Sequence, residues 1–314
     1  MGERINHTFA ENLGFRPQGE TFQSFMAGKA PDEFRTLRMS ANGRTELWHL
    51  HESGYQNRKL KVLFIGAHPD DTALSEGFEH LLVKKGEKGE KKETGLAVIS
   101  LTPGDANGDS EVRLGEDISA TRHLGADIYI NLGFSDGRLP QEKEHLNIRL
   151  AHYLHELRPD IVIIPDPEDK SHEDHVMAAE ATIEGLRNNQ QRPIVIYMDH
   201  QFGDKEITDG TVGFTLEPPE YGVFEAAFKA HDSQTNPPSP DVQRVLARPR
   251  EHAEKYTRGD SNYLGIARQE LDLGFSEEPI RNHLGDRYTE LKKHVPLSPF
   301  VIFDSARREA SIII

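Results

Sequence analysis

The sequence predicts an α/β fold built on a mainly parallel sheet. Short apolar runs rich in β-branched residues alternate with segments whose apolar residues recur at helical spacing, and this alternation is typical of βαβ units. One such run, residues 62–65, is followed by Gly66 and then by polar residues, and a similar run, residues 161–164, is also followed by polar residues. Because parallel sheets place their ligand sites beyond the carboxyl ends of the strands, both polar segments are candidate site loops.

The predicted elements follow one another at fairly regular intervals. The predicted strands are residues 62–65, 96–101, 128–132, 161–164 and 194–197. The predicted helices are residues 72–85, 112–124, 146–157, 176–186 and 221–230. Continuous apolar runs indicate strands that are buried on both faces. Gly125 and Pro159 each end a predicted helix, since glycine adopts the left-handed cap conformation and proline cannot continue a helix.

The alternating pattern is confined to the middle of the chain, so we predict an α/β catalytic domain at residues 58–235. Residues 1–57 are polar and rich in turn-forming residues, and we interpret them as an N-terminal extension packed on that domain, with an edge strand at residues 47–51. Residues 84–92 are rich in Lys, Glu and Gly, which predicts a solvated loop. Residues 236–314 are charged and are predicted to form a mostly helical extension of the same domain.

Composition excludes several classes of function for this chain of 314 residues. A formal net charge of −15 argues against non-specific binding to nucleic acid or to an anionic membrane. The absence of cysteine excludes disulfides, thiolate metal sites and cysteine nucleophiles, so any metal must be held by His, Asp or Glu. No stretch approaches the ~18 apolar residues of a membrane span, and the first residues lack the apolar core of a secretory signal. We therefore expect a cytoplasmic protein with neither membrane nor nucleic-acid partners.

The two polar segments carry side chains that bind metals or move protons. Residues 67–71 read Ala-His-Pro-Asp-Asp, and residues 172–175 read His-Glu-Asp-His. In each segment two such side chains are three residues apart, a spacing that places them on one side of a helical turn. A His/Asp/His set suits a catalytic zinc site with an open position for water. Bound zinc would lower the pKa of that water to about 7, and a neighbouring carboxylate could take its proton.

Each segment alone also has an ordinary structural explanation. His-Pro-Asp often forms a turn, because proline fixes φ and aspartate makes local hydrogen bonds. A His-x-x-His pair can be surface polarity in a chain with 16 histidines. The presence of both segments, each after a predicted strand, favours a site over two unrelated turns.

These segments resemble the two motifs of the LmbE-like, or PIG-L, family of zinc-dependent N-acetylglucosaminyl deacetylases. The resemblance covers about residues 60–235. It implies the LmbE-like deacetylase fold, which is Rossmann-like with helices on both faces of the sheet. It also implies one Zn²⁺ per chain, or another divalent metal, held by His68, Asp71 and His175.

The resemblance implies further roles within the two motifs. Asp70 would be the general base that activates the metal-bound water. His172 would assist at the oxyanion or at the leaving amine, and Asp174 would orient His172. Together, these residues would perform the hydrolysis of an amide.

Three weaker matches to the family lie outside the metal site, at Arg113, Asp136 and His231. The resemblance implies substrate contacts for them, and Arg113 and Asp136 could bind sugar hydroxyls. An exposed helix charge, a turn aspartate and a packed or capping histidine are the alternative roles for the three. The chain departs from the family at Thr72, where many members have Glu, and this leaves the orientation of the ligands and the substrate subclass open.

The motifs predict a zinc-dependent hydrolase that removes an N-acetyl group from an amino sugar or an amino-sugar conjugate. The expected partner is thus a small N-acetylated sugar, and self-association is also considered because homo-oligomers are common. A related amidase acting on a larger conjugate or an antibiotic intermediate would use the same catalytic residues and is the alternative. A Rossmann-like binding module without catalysis is disfavoured, because no Gly-x-Gly-x-x-Gly follows the first strand.

Overall fold

A computed structural model describes most of the chain from residue 35 to residue 256, together with shorter stretches on either side. The described residues are 25–26, 35–41, 44–52, 54–75, 94–106, 108–169, 171–189, 193–198, 211–216, 218–237, 240–256, 264–269, 300–304 and 309–312. The predicted loop at residues 84–92 and the predicted helix beyond residue 75 lie outside them, as does most of the predicted N-terminal extension.

Eleven strands in the described part of the chain form one sheet. They are β1 Arg35–Ala41, β2 Arg44–Leu50, β3 Leu60–Gly66, β4 Thr94–Ser100, β5 Ile128–Asn131, β6 Ile161–Pro165, β7 Ile194–Met198, β8 Thr211–Thr215, β9 Leu264–Gln269, β10 Phe300–Asp304 and β11 Glu309–Ile312. Their order across the sheet is β1-β2-β5-β4-β3-β6-β7-β9-β8-β10-β11. The central strands β5, β4, β3, β6 and β7 pair in parallel, and the outer pairings are antiparallel.

The predicted α/β fold is confirmed, but the sheet is mixed rather than mainly parallel. Parallel pairing needs a crossover connection, usually a helix, and the repeating strand–helix pattern supplies such crossovers only in the middle of the chain. The C-terminal region, predicted to be mostly helical, has one helix and three strands among its described residues. β9 pairs with β7 and β8, and β10 pairs with β8, all of them distant along the chain, and no local apolar period predicts such partners. The domain boundaries stay a prediction.

Helices cover both faces of the sheet, as predicted. They are α1 Asp71–Leu74, α2 Ser110–His123, α3 Lys143–Leu157, α4 Glu173–Asn188, α5 Pro218–Lys229, α6 Asp232–Thr235 and α7 Pro240–Tyr256. On β3, Leu63 and Ile65 pack in the core with α3 and α4, whereas Val62 and Phe64 pack in the core with α2 and α5. This alternation between faces buries all four side chains, as expected for a central strand. None of the helices described here is long and apolar enough to cross a membrane.

The register between β3 and β6 brings the two motif loops together. Val62 lies opposite Ile161 in this parallel pair, and Phe64 lies opposite Ile163. Both strands therefore end at the same edge of the sheet. The segments that follow them, which contain residues 67–71 and 172–175, begin next to each other at that edge.

His152 on α3 is expected to make the folding stability depend on pH. Burial, together with the positive charges of Arg149 and His155, lowers its pKa to about 4. An unfolded chain has a His pKa of about 6.5 and binds the proton more readily, so the contribution of His152 is complete above pH 6.5 and falls as the pH drops towards 4. We expect the free energy of unfolding in urea to fall between pH 7.5 and pH 5, and to fall by about 1–2 kcal/mol less in His152→Gln than in the wild type. In the control His145→Gln, which changes an exposed histidine, the free energy of unfolding should fall as much as in the wild type. Equal decreases in all three proteins would contradict the prediction.

Candidate metal centre

The three predicted metal ligands lie together at the carboxyl edge of the sheet. Asp71 Oδ1 is 3.3 Å from His175 Nε2 and 3.8 Å from His68 Nδ1. One ligand atom from each residue lies within 4.8 Å of the others, and all three residues are buried. Two imidazole nitrogens and one carboxylate are donors that suit a divalent transition metal. His68, Asp71 and His175 can therefore hold a metal ion.

The Asp71 carboxylate is fixed by the backbone of its own loop. Its Oδ2 atom accepts hydrogen bonds from the backbone N–H of Ala67 at 2.6 Å and of His68 at 3.1 Å. Gly66 permits this arrangement, because a Cβ atom there would lie 2.7 Å from the Asp71 Cβ. The loop therefore directs Oδ1 towards His175.

Asp169, to which neither motif points, orients His175. Its Oδ2 atom lies 2.9 Å from His175 Nδ1, and its Oδ1 atom accepts a hydrogen bond from the Ser171 backbone at 2.8 Å. Because a carboxylate accepts, His175 donates its Nδ1 proton and keeps Nε2 facing Asp71. Burial by itself lowers the pKa of His175, but the Asp71 charge and the Asp169 hydrogen bond raise it to about 9. The one feature of the sequence that could have indicated this role is the position of Asp169, six residues before His175 in the same loop.

A second group of side chains lies on the other side of His68. His68 Nε2 is 3.1 Å from Asp136 Oδ1 and 3.4 Å from Asp174 Oδ2. With His172, these residues form a second set whose ligand atoms lie within 4.8 Å of one another. Burial favours neutral His68, but hydrogen bonding to Asp136, Asp174 and Asp71 outweighs it and raises the pKa of His68 well above its usual value. Asp136, predicted as a substrate contact, thus lies next to a candidate ligand.

The Asp174 carboxylate contacts a different partner from the predicted one. Its two oxygens accept hydrogen bonds from the backbone N–H of Gly137 at 2.8 Å and of Leu139 at 3.0 Å. His172 instead meets the Asp174 backbone, whose N–H donates to His172 Nδ1 at 3.2 Å. The prediction that the Asp174 carboxylate orients His172 is replaced by a role in holding the loop after β5. The His172 ring lies 4.6 Å from the His68 ring, between centroids.

Arg113 is buried, and its guanidinium contacts the loop that carries Asp70. Its Nη2 donates to Asp70 Oδ1 at 2.9 Å, and its Nη1 donates to the carbonyl of Gly104 at 2.9 Å. Gly104 has φ of +71°, and a Cβ atom there would lie 2.4 Å from the guanidinium. The alternative of an exposed helix charge is therefore wrong, because the first turns of α2 face the loop that carries Asp70, and the sugar contact stays a prediction. The Asp70 side chain keeps 29% of its surface exposed, so a ligand can reach it.

His231 is also buried, with 1% of its surface exposed. Among the described residues, neither of its ring nitrogens has a hydrogen-bond partner. This burial agrees with the alternative of a packed histidine, and the substrate contact stays a prediction. The segment is tied to α2 by Glu116, whose carboxylate accepts from the Ser233 backbone at 2.7 Å and from the Ser233 hydroxyl at 2.6 Å.

A comparison with protein families agrees with the motifs and with this geometry. Residues 63–186 match the family described as PIG-L, GlcNAc-PI de-N-acetylase. We refer to these matched residues as the PIG-L domain. The PIG-L domain spans β3 to α4 and contains both motif loops, which confirms the resemblance inferred from the sequence. No curated protein matches the chain in sequence.

Solved structures share the fold of the PIG-L domain. The conserved protein TT1542 from Thermus thermophilus is 24% identical, covers 69% of this chain and 98% of its own, and has a TM-score of 0.53. The A40926 pseudoaglycone deacetylase Dbv21 is 17% identical, covers 69% of this chain and 100% of its own, and has a TM-score of 0.54. The N,N'-diacetylchitobiose deacetylase from Pyrococcus horikoshii is 18% identical, covers 69% of this chain and 85% of its own, and has a TM-score of 0.52.

We expect Asp71→Ala to lose the bound metal. The substitution removes one of three ligands and leaves the backbone N–H groups of Ala67 and His68 without their acceptor. Elemental analysis of protein purified with added zinc should find about one metal ion per wild-type chain and a small fraction of that in the variant. Glu144→Ala, an exposed substitution with the same change of charge, should keep the metal. Equal metal content in Asp71→Ala and the wild type would contradict the site.

Asp169→Asn should weaken metal binding without abolishing it. The substitution removes the carboxylate that fixes the His175 tautomer, and losses of this kind cost roughly 10–100-fold in metal affinity. Titration against a chromogenic chelator measures the affinity, with the exposed Glu168→Gln in the same loop as control. An affinity unchanged from that of the control would show that Asp169 does not orient the ligand.

Proposed function

We propose that the protein is a zinc-dependent hydrolase that removes the acetyl group from the nitrogen of an amino sugar or amino-sugar conjugate. The observation that carries the proposal is the position of Asp70, a partly exposed carboxylate one residue before Asp71 in the candidate metal cluster. The PIG-L match over residues 63–186 supports N-deacetylase chemistry. The His/Asp/His donor set supports zinc.

Asp70 is proposed to act as the general base. Its carboxylate is partly exposed and is held at 2.9 Å by Arg113, whose second contact to Gly104 fixes the guanidinium in place. A bound zinc ion supplies a water of lowered pKa and polarises the carbonyl under attack. Asp70 then takes a proton from the water that adds to the acetyl carbon. Arg113 is therefore proposed to act through Asp70.

His172 is proposed to stabilise the developing oxyanion or to assist the leaving nitrogen. Its Nδ1 atom accepts the backbone N–H of Asp174, so the neutral ring carries its proton on Nε2. Burial lowers the pKa of His172, which favours this neutral form. An Nε2 proton can donate a hydrogen bond to an oxygen that gains negative charge during the reaction.

The amino-sugar class is supported by what two proteins of the same fold act on. One is named as a deacetylase of N,N'-diacetylchitobiose, and the other is named as a deacetylase of an antibiotic pseudoaglycone. The second supports the alternative of an amidase on a larger conjugate, which would use the same residues. Asp136 stays the proposed substrate contact at this site. A cytoplasmic location, self-association and the absence of membrane and nucleic-acid partners stay predictions.

Acetate release from a panel of N-acetyl compounds tests the function. The zinc-loaded protein should release acetate from N-acetylglucosamine, from diacetylchitobiose or from an N-acetylglucosaminide with a large aglycone. Activity limited to the large conjugates would favour the alternative, and no release from any member would contradict deacetylation. Full activity in a His68→Ala, His175→Ala double variant would refute a role for the metal cluster.

Asp70→Asn should lower kcat by about 10²–10⁴-fold, the usual contribution of a general base. The variant should keep its metal, because Asp70 is not among the clustered ligand atoms. Glu144→Gln, which neutralises an exposed carboxylate, should leave kcat unchanged. An Asp70→Asn variant with wild-type kcat and full metal content would assign the base to another residue.

A further inference from the structure

We propose that Arg44, at the start of β2, is a positioning residue for the site, holding the loop that carries Asp136 against the metal cluster. The proposal rests on the proposed function, because it assigns Arg44 to the same site. It also extends the working site beyond the PIG-L domain, since Arg44 lies in the N-terminal hairpin formed by β1 and β2 and the family match begins at residue 63.

The loop from residue 133 to residue 142 connects β5 with α3 and contacts the site at three points. Asp136 places a carboxylate oxygen 3.1 Å from His68 Nε2. The backbone N–H groups of Gly137 and Leu139 donate to the Asp174 carboxylate at 2.8 Å and 3.0 Å. The position of this loop therefore sets the distance between the proposed substrate contact and the candidate ligand.

Arg44 spans the two ends of this loop with one side chain. Its guanidinium carbon lies 3.8 Å from the centroid of the Phe134 ring at the start of the loop. Its Nη2 atom donates to Glu142 at the end of the loop. The second carboxylate oxygen of Glu142 accepts the Ser135 backbone N–H at 3.2 Å. Removal of the guanidinium would thus release both ends of the loop at once.

The backbone of the hairpin fits closely against the same loop. β2 and β5 are antiparallel with Leu47 opposite Asn131, so the first residues of β2 run past the end of β5. Gly133 follows there with φ of +64°, and a Cβ atom at this position would lie 2.1 Å from the carbonyl oxygen of Thr45. Two independent observations, one from a side chain and one from the backbone, therefore place the hairpin on the loop.

Partial burial strengthens the Arg44–Glu142 pair relative to a surface ion pair. The two side chains keep 20% and 22% of their surface exposed. In the same hairpin Arg38 pairs with Glu111 at 2.8 Å, but these side chains keep 49% and 65% exposed and do not contact the loop by any bond described here. Solvent screens a pair of the second kind strongly. Arg38 is therefore the matched control for Arg44.

Hydrogen exchange of the loop amides tests the contact without reference to a substrate. The zinc-loaded wild type is compared with Arg44→Met, which keeps an apolar stem over Phe134 and loses the guanidinium, and with Arg38→Met. We expect amides of residues 133–142 to exchange about tenfold faster in Arg44→Met and at the wild-type rate in Arg38→Met. Equal loop exchange in the two variants would overturn the proposal.

Kinetics on the substrate identified from the acetyl panel test the consequence for the site. We expect Arg44→Met to raise KM about tenfold with kcat within threefold of the wild type, because the loop carries Asp136 and not Asp70. Arg44→Lys should recover only part of the effect, since an ammonium restores the charge but not the planar contact with Phe134. Faster loop exchange with an unchanged KM would overturn the positioning role.

Failure of the proposed function is distinguishable from failure of this inference. A wild type that releases no acetate would refute the deacetylase, while the exchange comparison would still decide whether Arg44 holds the loop. If Arg44→Met does not fold, Glu142→Gln removes the same ion pair from the opposite side and is judged by the same exchange rates and KM. Wild-type values for both readouts in Glu142→Gln would then overturn the proposal.

Discussion

The parallel pairing of β3 with β6 is the constraint on which the candidate metal centre depends. Val62 lies opposite Ile161, so the two strands end together and their loops place Asp71 and His175 within contact distance. A register shift of two residues would move one loop by ~7 Å along the strand direction, which is more than a ligand set can tolerate. Burial of β3 on both faces holds the register, because the strand packs between two layers of helices.

Carboxylates connect the segments of the chain that meet around this edge. Asp174 accepts backbone N–H groups of the loop after β5, and Asp169 orients His175 within its own loop. Asp70 is joined to α2 through Arg113, and Glu142 joins the β5–α3 loop to the N-terminal hairpin. The buried carboxylates of Asp169 and Asp174 accept hydrogen bonds that offset the cost of removing them from water. The same contacts restrict the movement of the side chains that would act on a substrate.

Residue type and spacing predicted that the two strand-end loops bring His and Asp side chains to one edge of a parallel sheet. The resemblance to the family implied that His68, Asp71 and His175 are the ligands. Two of the predicted site residues are buried in a way that their residue types did not indicate. Arg113 and His231 are long or polar side chains at positions that the sequence alone leaves free to face water, and only the packing of α2 against the site loops shows that they are buried. Asp169 was not assigned because a single aspartate in a polar loop has many ordinary roles.

The sequence by itself determined the α/β class, the five parallel strands and the residues of the metal cluster, since apolar periodicity and motif spacing are local properties of the chain. The tertiary structure decided the antiparallel strands on both sides of the sheet, except that the sequence predicted an edge strand at residues 47–51, which the structure has as β2, one strand in from the edge. Of these strands, β2, β8, β9 and β10 have ladder hydrogen bonds with partners that are distant along the chain, whereas β1 and β11 pair with their neighbours in hairpins. It also decided the partners of Arg113 and Arg44, which lie 43 and 98 residues from the carboxylates they contact. A long, flexible side chain can reach many such partners, and only packing selects one of them.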